Sequence, residues 1–134
     1  MNKGCLLDAS AVLARLNDEP GSDALIPLLG NASISAINLA EVAGKLAERG
    51  VPQREVLNAL EPLRLEVVPV DRECAYRAAW LRPLTRSLGL SLADRVCLAT
   101  AQALGLPVIT TDRSWAALKI GVPIRILRKP SERR

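Results

Sequence analysis

Short apolar runs that each stop at a polar or acidic residue recur along this chain, and longer stretches with helical spacing separate them. The first run, Cys5-Leu6-Leu7, follows Gly4 and is cut off by Asp8. A run that short, flanked by turn-forming residues, reads as a fully buried strand, although periodicity alone leaves a helical segment open. Similar runs follow at Ala32-Ser33-Ile34-Ser35, Leu65-Glu66-Val67-Val68-Pro69-Val70, Pro107-Val108-Ile109-Thr110 and Val122 to Leu127. Pro69 marks the third as an edge strand or as a strand that ends there.

Between the runs, Ala9 to Asn17 carries Ala9, Val12, Leu13 and Leu16 on one helical face, and Asp23 to Leu29 predicts a second helix closed by Gly30. Ser35 is placed to cap a helix with Leu39, Val42, Ala43, Leu46 and Ala47 inward, and Pro52 to open another with Val56, Leu57, Leu60 and Leu63 inward. Asp71 caps a longer helix containing Ala75, Ala78, Ala79 and Leu81, which Pro83 must end or kink. Ser91-Leu92-Ala93-Asp94 has capping-box spacing and starts a helix with Leu92, Val96, Ala99 and Ala103 as its stripe, ended by Gly105. Asp112 caps a short helix through Leu118. Strands alternating with helices predict an α/β fold, a three-layer α/β/α sandwich around a mostly parallel sheet.

With 134 residues the chain is expected to be one domain, its core at about 3–127 and a basic tail at 128–134. Hydrophobic residues make up 49% but aromatics only 2%, with no Phe, so the core must be built from Leu, Val, Ile and Ala. Cys5, Cys74 and Cys97 are odd in number and lack C-x-x-C spacing, which argues against a disulfide framework or a zinc site and for buried thiols in a reducing compartment. Neither a leader nor an apolar stretch of about 18 residues is evident, so a cytoplasmic protein with no membrane partner is expected.

Histidine is absent. That removes Ser-His-Asp and Cys-His catalysis, imidazole bases and His-liganded metals together. Hydrolytic chemistry would have to rest on carboxylates, hydroxyls, Lys or Arg, and a bound metal. The net charge of +4 is uneven: from Arg113 onward seven basic residues face one acid, Glu132, a balance of +6 that leaves the first 112 residues at about −2. A polyanionic partner is compatible with that basic end, as is a merely solvated tail.

In a parallel sheet with crossover helices, strand carboxyl ends and helix N-termini share one rim. Asp8 and Asp112 follow strands, Asp94 lies in the first turn of a helix, and Glu41 lies within two turns of the helix that Ser35 caps. Each has a purely structural use: Asp8 and Asp112 as N-caps, Asp94 in its capping box, Glu41 paired with Lys45. Together, however, carboxylates about 5 Å apart repel by roughly 3 kcal/mol per pair at an effective dielectric of 20. A divalent cation resolves that repulsion, and oxygen-only ligation suits Mg²⁺ or Mn²⁺ rather than zinc. Such a site would hydrolyse phosphodiesters without imidazole. Ser10, Thr110 and Thr111 bring hydroxyls to the same edge, and Arg95 and Arg113 bring guanidinium groups, as candidates to position water or phosphate.

Four segments carry a resemblance. Leu7-Asp8-Ala9-Ser10-Ala11, Ile34-Ser35-Ala36-Ile37-Asn38-Leu39-Ala40-Glu41-Val42, Leu90-Ser91-Leu92-Ala93-Asp94-Arg95 and Val108-Ile109-Thr110-Thr111-Asp112-Arg113-Ser114-Trp115 resemble, in order and spacing, the signature segments of PIN-domain toxins of the VapC type. The resemblance implies a Mg²⁺- or Mn²⁺-dependent endoribonuclease, the toxin of a type II toxin-antitoxin module. Its four acids fall on Asp8, Glu41, Asp94 and Asp112, and its T-x-D threonine on Thr110. It also implies a homodimer, an RNA substrate and inhibition by a cognate antitoxin lying over the active-site rim. The alternative is a catalytically inactive PIN-like module that only binds protein. A phosphoacceptor receiver domain fits worse, because Val68-Pro69-Val70 leads to Asp71 in a capping context and no suitably placed Lys follows the late strand.

Overall fold

Alternate side chains of a strand point to opposite faces, and in strand β1 (Cys5–Leu7) all three are apolar and buried. A strand buried on both faces needs a layer of helices on each side. The computed structural model, which describes residues 4–127, supplies both. Cys5 and Leu7 enter one core with Val12, Leu13, Ile34, Val42, Val56 and Ile109. Leu6 enters the other with Ala78, Leu81, Val96, Leu98, Val108 and Trp115.

Strand β1 is joined by β2 (Ala32–Ser35), β3 (Glu66–Val68), β4 (Val108–Thr110) and β5 (Ile124–Ile126) in the order β3-β2-β1-β4-β5. Every pairing is parallel. Leu6 lies opposite Ser33 on one side and Val108 on the other, so β1 is central, and β3, which precedes Pro69, is an edge as its sequence predicts. Helices α1 (Ala9–Leu16), α2 (Ala36–Glu48) and α3 (Gln53–Leu60) cover the first core, while α4 (Arg72–Thr85) and α5 (Leu92–Leu104) cover the second. This is the expected α/β/α sandwich, and its sheet is parallel throughout the described residues.

The helix starts follow local chemistry. Ser35 Oγ accepts from the Ile37 amide at 3.3 Å, and Asp71 Oδ1 from the Cys74 amide at 2.8 Å. Ser91 and Asp94 close the reciprocal capping box of α5. Helix α5 stops at Gly105, whose φ of +67° costs glycine nothing.

Several expectations need correction. The segment read as a helix over Asp23–Leu29 is a 3₁₀ stretch, Ser22–Leu28. Pro27 lies inside it and has no N–H to give to an α-helical ladder. Asp112 likewise caps a 3₁₀ stretch, Arg113–Ala117. In α4 the buried stripe is Cys74, Ala78, Leu81 and Thr85, so Ala75 and Ala79 face outward, and Pro83 is tolerated in the final turn. Leu57 and Leu92 are exposed, at 51% and 57%, and Ala47 of α2 and Ala103 of α5, both expected on the inward stripe, are exposed as well. Leu92 is the first residue of α5, and burial instead runs unbroken from Arg95 to Ala101. The basic tail at 128–134 and Lys3 lie outside the described residues.

The layering predicts unequal costs for the same substitution. Leu6→Ala, at a site with 0% exposure, is expected to cost about 2–5 kcal/mol in urea denaturation. Leu57→Ala should stay within about 1 kcal/mol. Equal losses at the two positions would contradict the assignment of Leu6 to an enclosed core.

Candidate active site

Asp8 is the residue at which the buried central strand ends. It occupies the N-cap position of α1, yet its side chain does not cap that helix. Its Oδ2 accepts instead from Ser10 Oγ at 2.7 Å and from Thr110 Oγ1 at 2.9 Å. Those hydroxyls are themselves anchored, because the Thr111 amide donates to Ser10 Oγ at 3.0 Å and the Asp112 amide to Thr110 Oγ1 at 3.1 Å. The network ties the exits of β1 and β4 together. Asp8 is only 5% exposed. Burial pushes its carboxyl above the ordinary aspartate value; the two hydroxyls and the Ala9 amide pull it down, the Asp94 charge adds to the rise, and burial wins.

Glu41 lies on α2, half-buried, and its Oε1 accepts from Asn38 Nδ2 at 2.8 Å. Asn38 is fully buried and reaches on toward the Ala93 carbonyl at 3.5 Å, in the first turn of α5 beside Asp94. Asp94 Oδ2 accepts from the Ser91 amide at 2.9 Å. Asp112 is exposed, and its Oδ1 accepts from the amide and hydroxyl of Ser114 at 2.9 and 2.7 Å. Asp94 and Asp112 thus do the capping that their sequence context predicts, whereas Asp8 does not. Glu41 bonds to Asn38 rather than to Lys45.

Electrostatics identifies which acids share a region. The thiol of Cys97, fully buried on α5, is held well above its ordinary value, chiefly by burial and further by the charges of Asp8, Asp94 and Glu41. Three of the four predicted acids therefore act on one buried point, and Asp112 is not among them. No group of three or more acids or thiols among the described residues is close enough to enclose a metal ion. Nor is Asp8, Glu41 or Asp94 ion-paired among the described residues, where the ion pairs are Arg15–Asp18 and Arg77–Glu73.

The secondary site residues divide. Ser10 and Thr110 both bind Asp8, so their hydroxyls position the acid. Arg95 is 7% exposed and turns inward, its Nη1 donating to the Ala78 carbonyl at 3.0 Å. Asn38 is the residue that sequence reasoning passed over. The available signal was a polar amide three residues before Glu41, and hence on the same helix face.

The donor set suits a hard cation. All four candidate ligands are carboxylates, His is absent, and the three thiols are buried. The least exposed carboxylate, Asp8, carries a charge that burial and Asp94 both penalise.

The PIN domain family matches residues 5–120 of this sequence. Among solved structures, DNA-bound VapBC from Salmonella typhimurium is similar at 23% identity over 96% of this chain and 100% of that one, with a TM-score of 0.75. VapBC-5 from Mycobacterium tuberculosis, described as a member of the VapBC family of toxin-antitoxin systems, is similar at 29% identity over 94% and 98% of the two chains, with a TM-score of 0.64. VapBC2 from Rickettsia felis, bound to a promoter DNA fragment, shows 19% identity over 92% and 98%, with a TM-score of 0.73. No curated protein matches the sequence.

The raised Asp8 carboxyl has a consequence for stability. An acid whose folded pKa exceeds its unfolded value stabilises the fold at low pH, and that contribution is lost as pH rises through the folded value. Asp8→Asn keeps an oxygen for Ser10 and Thr110 but removes the charge. In EDTA at pH 7 the variant should melt above wild type, and the gap should close toward pH 3 as Asp8 protonates. A variant that melts lower at pH 7 would mean the charged carboxylate is itself stabilising.

Proposed function

The chain belongs to the PIN-domain family, and from that premise we propose that it is a metal-dependent endoribonuclease, the toxin of a type II toxin-antitoxin pair. The observation that carries this reading is Asp8: a buried carboxylate that makes no N-cap hydrogen bond to α1, is held by two hydroxyls and the Ala9 amide, and has no ion-pair partner among the described residues. Such a group is costly unless a cation completes it.

Mg²⁺ is bound directly by one or two carboxylates and keeps several waters, rather than sitting in an all-protein cage. That habit is compatible with acids that, among the described residues, do not converge in threes. Asp8 would be the direct ligand, with Glu41, Asp94 and Asp112 holding the ion's waters or joining it once substrate is present. When bound, Mg²⁺ or Mn²⁺ would polarise the scissile phosphodiester and acidify the attacking water. The protein's own part is positional. Ser10 and Thr110 fix the orientation of Asp8, and Asn38 fixes Glu41 against the first turn of α5.

A cognate antitoxin and a homodimer belong to the same reading, as does a cytoplasmic location. The solved relatives from Mycobacterium tuberculosis and Klebsiella pneumoniae are described as toxin-antitoxin assemblies. Helix α4 offers Tyr76, Trp80 and Leu84, each more than half exposed and spaced four residues apart, with the two rings stacked at 6.0 Å. An apolar stripe of that kind is normally covered by association. No helix of the described residues is long and apolar enough to cross a membrane.

Purified protein should cleave single-stranded RNA with Mg²⁺ or Mn²⁺ and stop on adding EDTA. Asp8→Asn and Asp94→Asn should each lower the rate on the order of a hundredfold or more. Undiminished cleavage in either variant would sink the assigned roles. The non-catalytic alternative draws on the lack of a three-acid cluster among the described residues, and it predicts no heat of Mn²⁺ binding in calorimetry even at millimolar metal.

A further inference from the structure

Next to the candidate active site the protein carries an unexplained concentration of positive charge. A cavity of about 560 Å³ opens between the end of α4 and the start of α5, and Arg82, Arg86 and Arg95 line it together with Leu90 and Leu92. None of the three arginines is ion-paired among the described residues. Arg95 is more than nine-tenths buried, and although its Nη1 donates to the Ala78 carbonyl, its Nε is buried without any partner. A buried guanidinium short of both a counter-charge and an acceptor is unfavourable by itself. An anion in the cavity would supply the counter-charge, and guanidinium groups match the oxygens of a phosphate in paired hydrogen bonds.

We propose that this cavity is a subsite for a backbone phosphate of the RNA, one that flanks the phosphodiester being cut; the proposal rests on the ribonuclease reading above. Two features favour a nucleic acid strand. Asp94 and Arg95 are consecutive on α5, so their side chains leave the helix about 100° apart, and a strand lying over the acid rim passes the arginines within the same helical turn. Leu90 and Leu92 give the cavity an apolar wall beside its charge, which suits the ribose or base attached to a phosphate. Arg82 and Arg86 are four residues apart and exposed at the mouth, where they would meet the incoming strand, while Arg95 forms the floor.

The test is RNA binding without catalysis. A fluorescent single-stranded RNA is titrated in EDTA at several salt concentrations into wild type, into Arg82→Gln/Arg86→Gln, and into Arg49→Gln/Arg54→Gln, a control pair of exposed arginines near α3. Thermal melts check that each variant folds. The cavity pair should bind roughly tenfold more weakly, and its log-log salt slope should fall by about 0.7 for the one phosphate lost. The control pair should keep the wild-type slope. Unchanged binding by the cavity pair, an equal loss in the control pair, or no RNA binding by wild type overturns the subsite. Cleavage assays run in parallel separate the two claims. Cleavage with an unchanged slope removes the subsite and leaves the ribonuclease, whereas an arginine-dependent slope without cleavage in Mg²⁺ or Mn²⁺ does the reverse.

Discussion

The depth of Asp8 is dictated by the strand before it. Cys5 and Leu7 pack into one core and Leu6 into the other, so a slip of one residue would turn each side chain toward the wrong layer. The register of β1 against β2 and β4 therefore holds the next residue at the sheet's end, 5% exposed, whatever its chemistry. That residue is an acid. Ser10 and Thr110 supply the donors that make its burial tolerable, and the bonds they accept from Thr111 and Asp112 shape the chain as it leaves β4. One buried carboxylate thereby organises two loops that are about a hundred residues apart in sequence.

What could be read from sequence was what is decided locally. Asp71 and the Ser91–Asp94 box bind amides three residues away, so their roles follow from neighbours alone. The strands were legible for a similar reason, since short apolar runs between turn-formers have few other uses. Contacts between distant segments were not legible. Asn38 looks unremarkable in a helix until Ala93, 55 residues on, is brought beside it. Ser10 and Thr110 read as candidates to position water or phosphate, and only the parallel pairing of β1 with β4 aims both at Asp8. Helical stripes found Val42 and Leu46 on the inward face of α2 but erred at Ala47, Leu57, Leu92 and Ala103, because a stripe does not reveal which of its positions the neighbouring layer covers. The four-segment resemblance identified the family and includes Asn38 and Arg95, yet it does not show that Asn38 bridges to Ala93 or that Arg95 turns inward.

Charge was the property that summation along the sequence described least well. Counting by segment assigns the positive excess to the C-terminal end and leaves the first 112 residues slightly negative. Folding redistributes that balance. Asp8, Glu41 and Asp94 gather around Cys97, and Arg82, Arg86 and Arg95 gather on one cavity, although all six belong to the segment with the negative sum. The first turn of α5 is the boundary, with Asp94 contributing to the acidic side and Arg95 to the basic one. If the proposed ribonuclease reading holds, such a division would serve the cleavage of a polyanion. Unneutralised carboxylates repel phosphate, and an adjacent basic cavity can hold the strand while a cation compensates the acids. On the ribonuclease reading, an acid rim need not exclude its substrate: attraction and chemistry would fall to different faces of one helix, and the capping box that fixes Asp94 would fix the spacing between them.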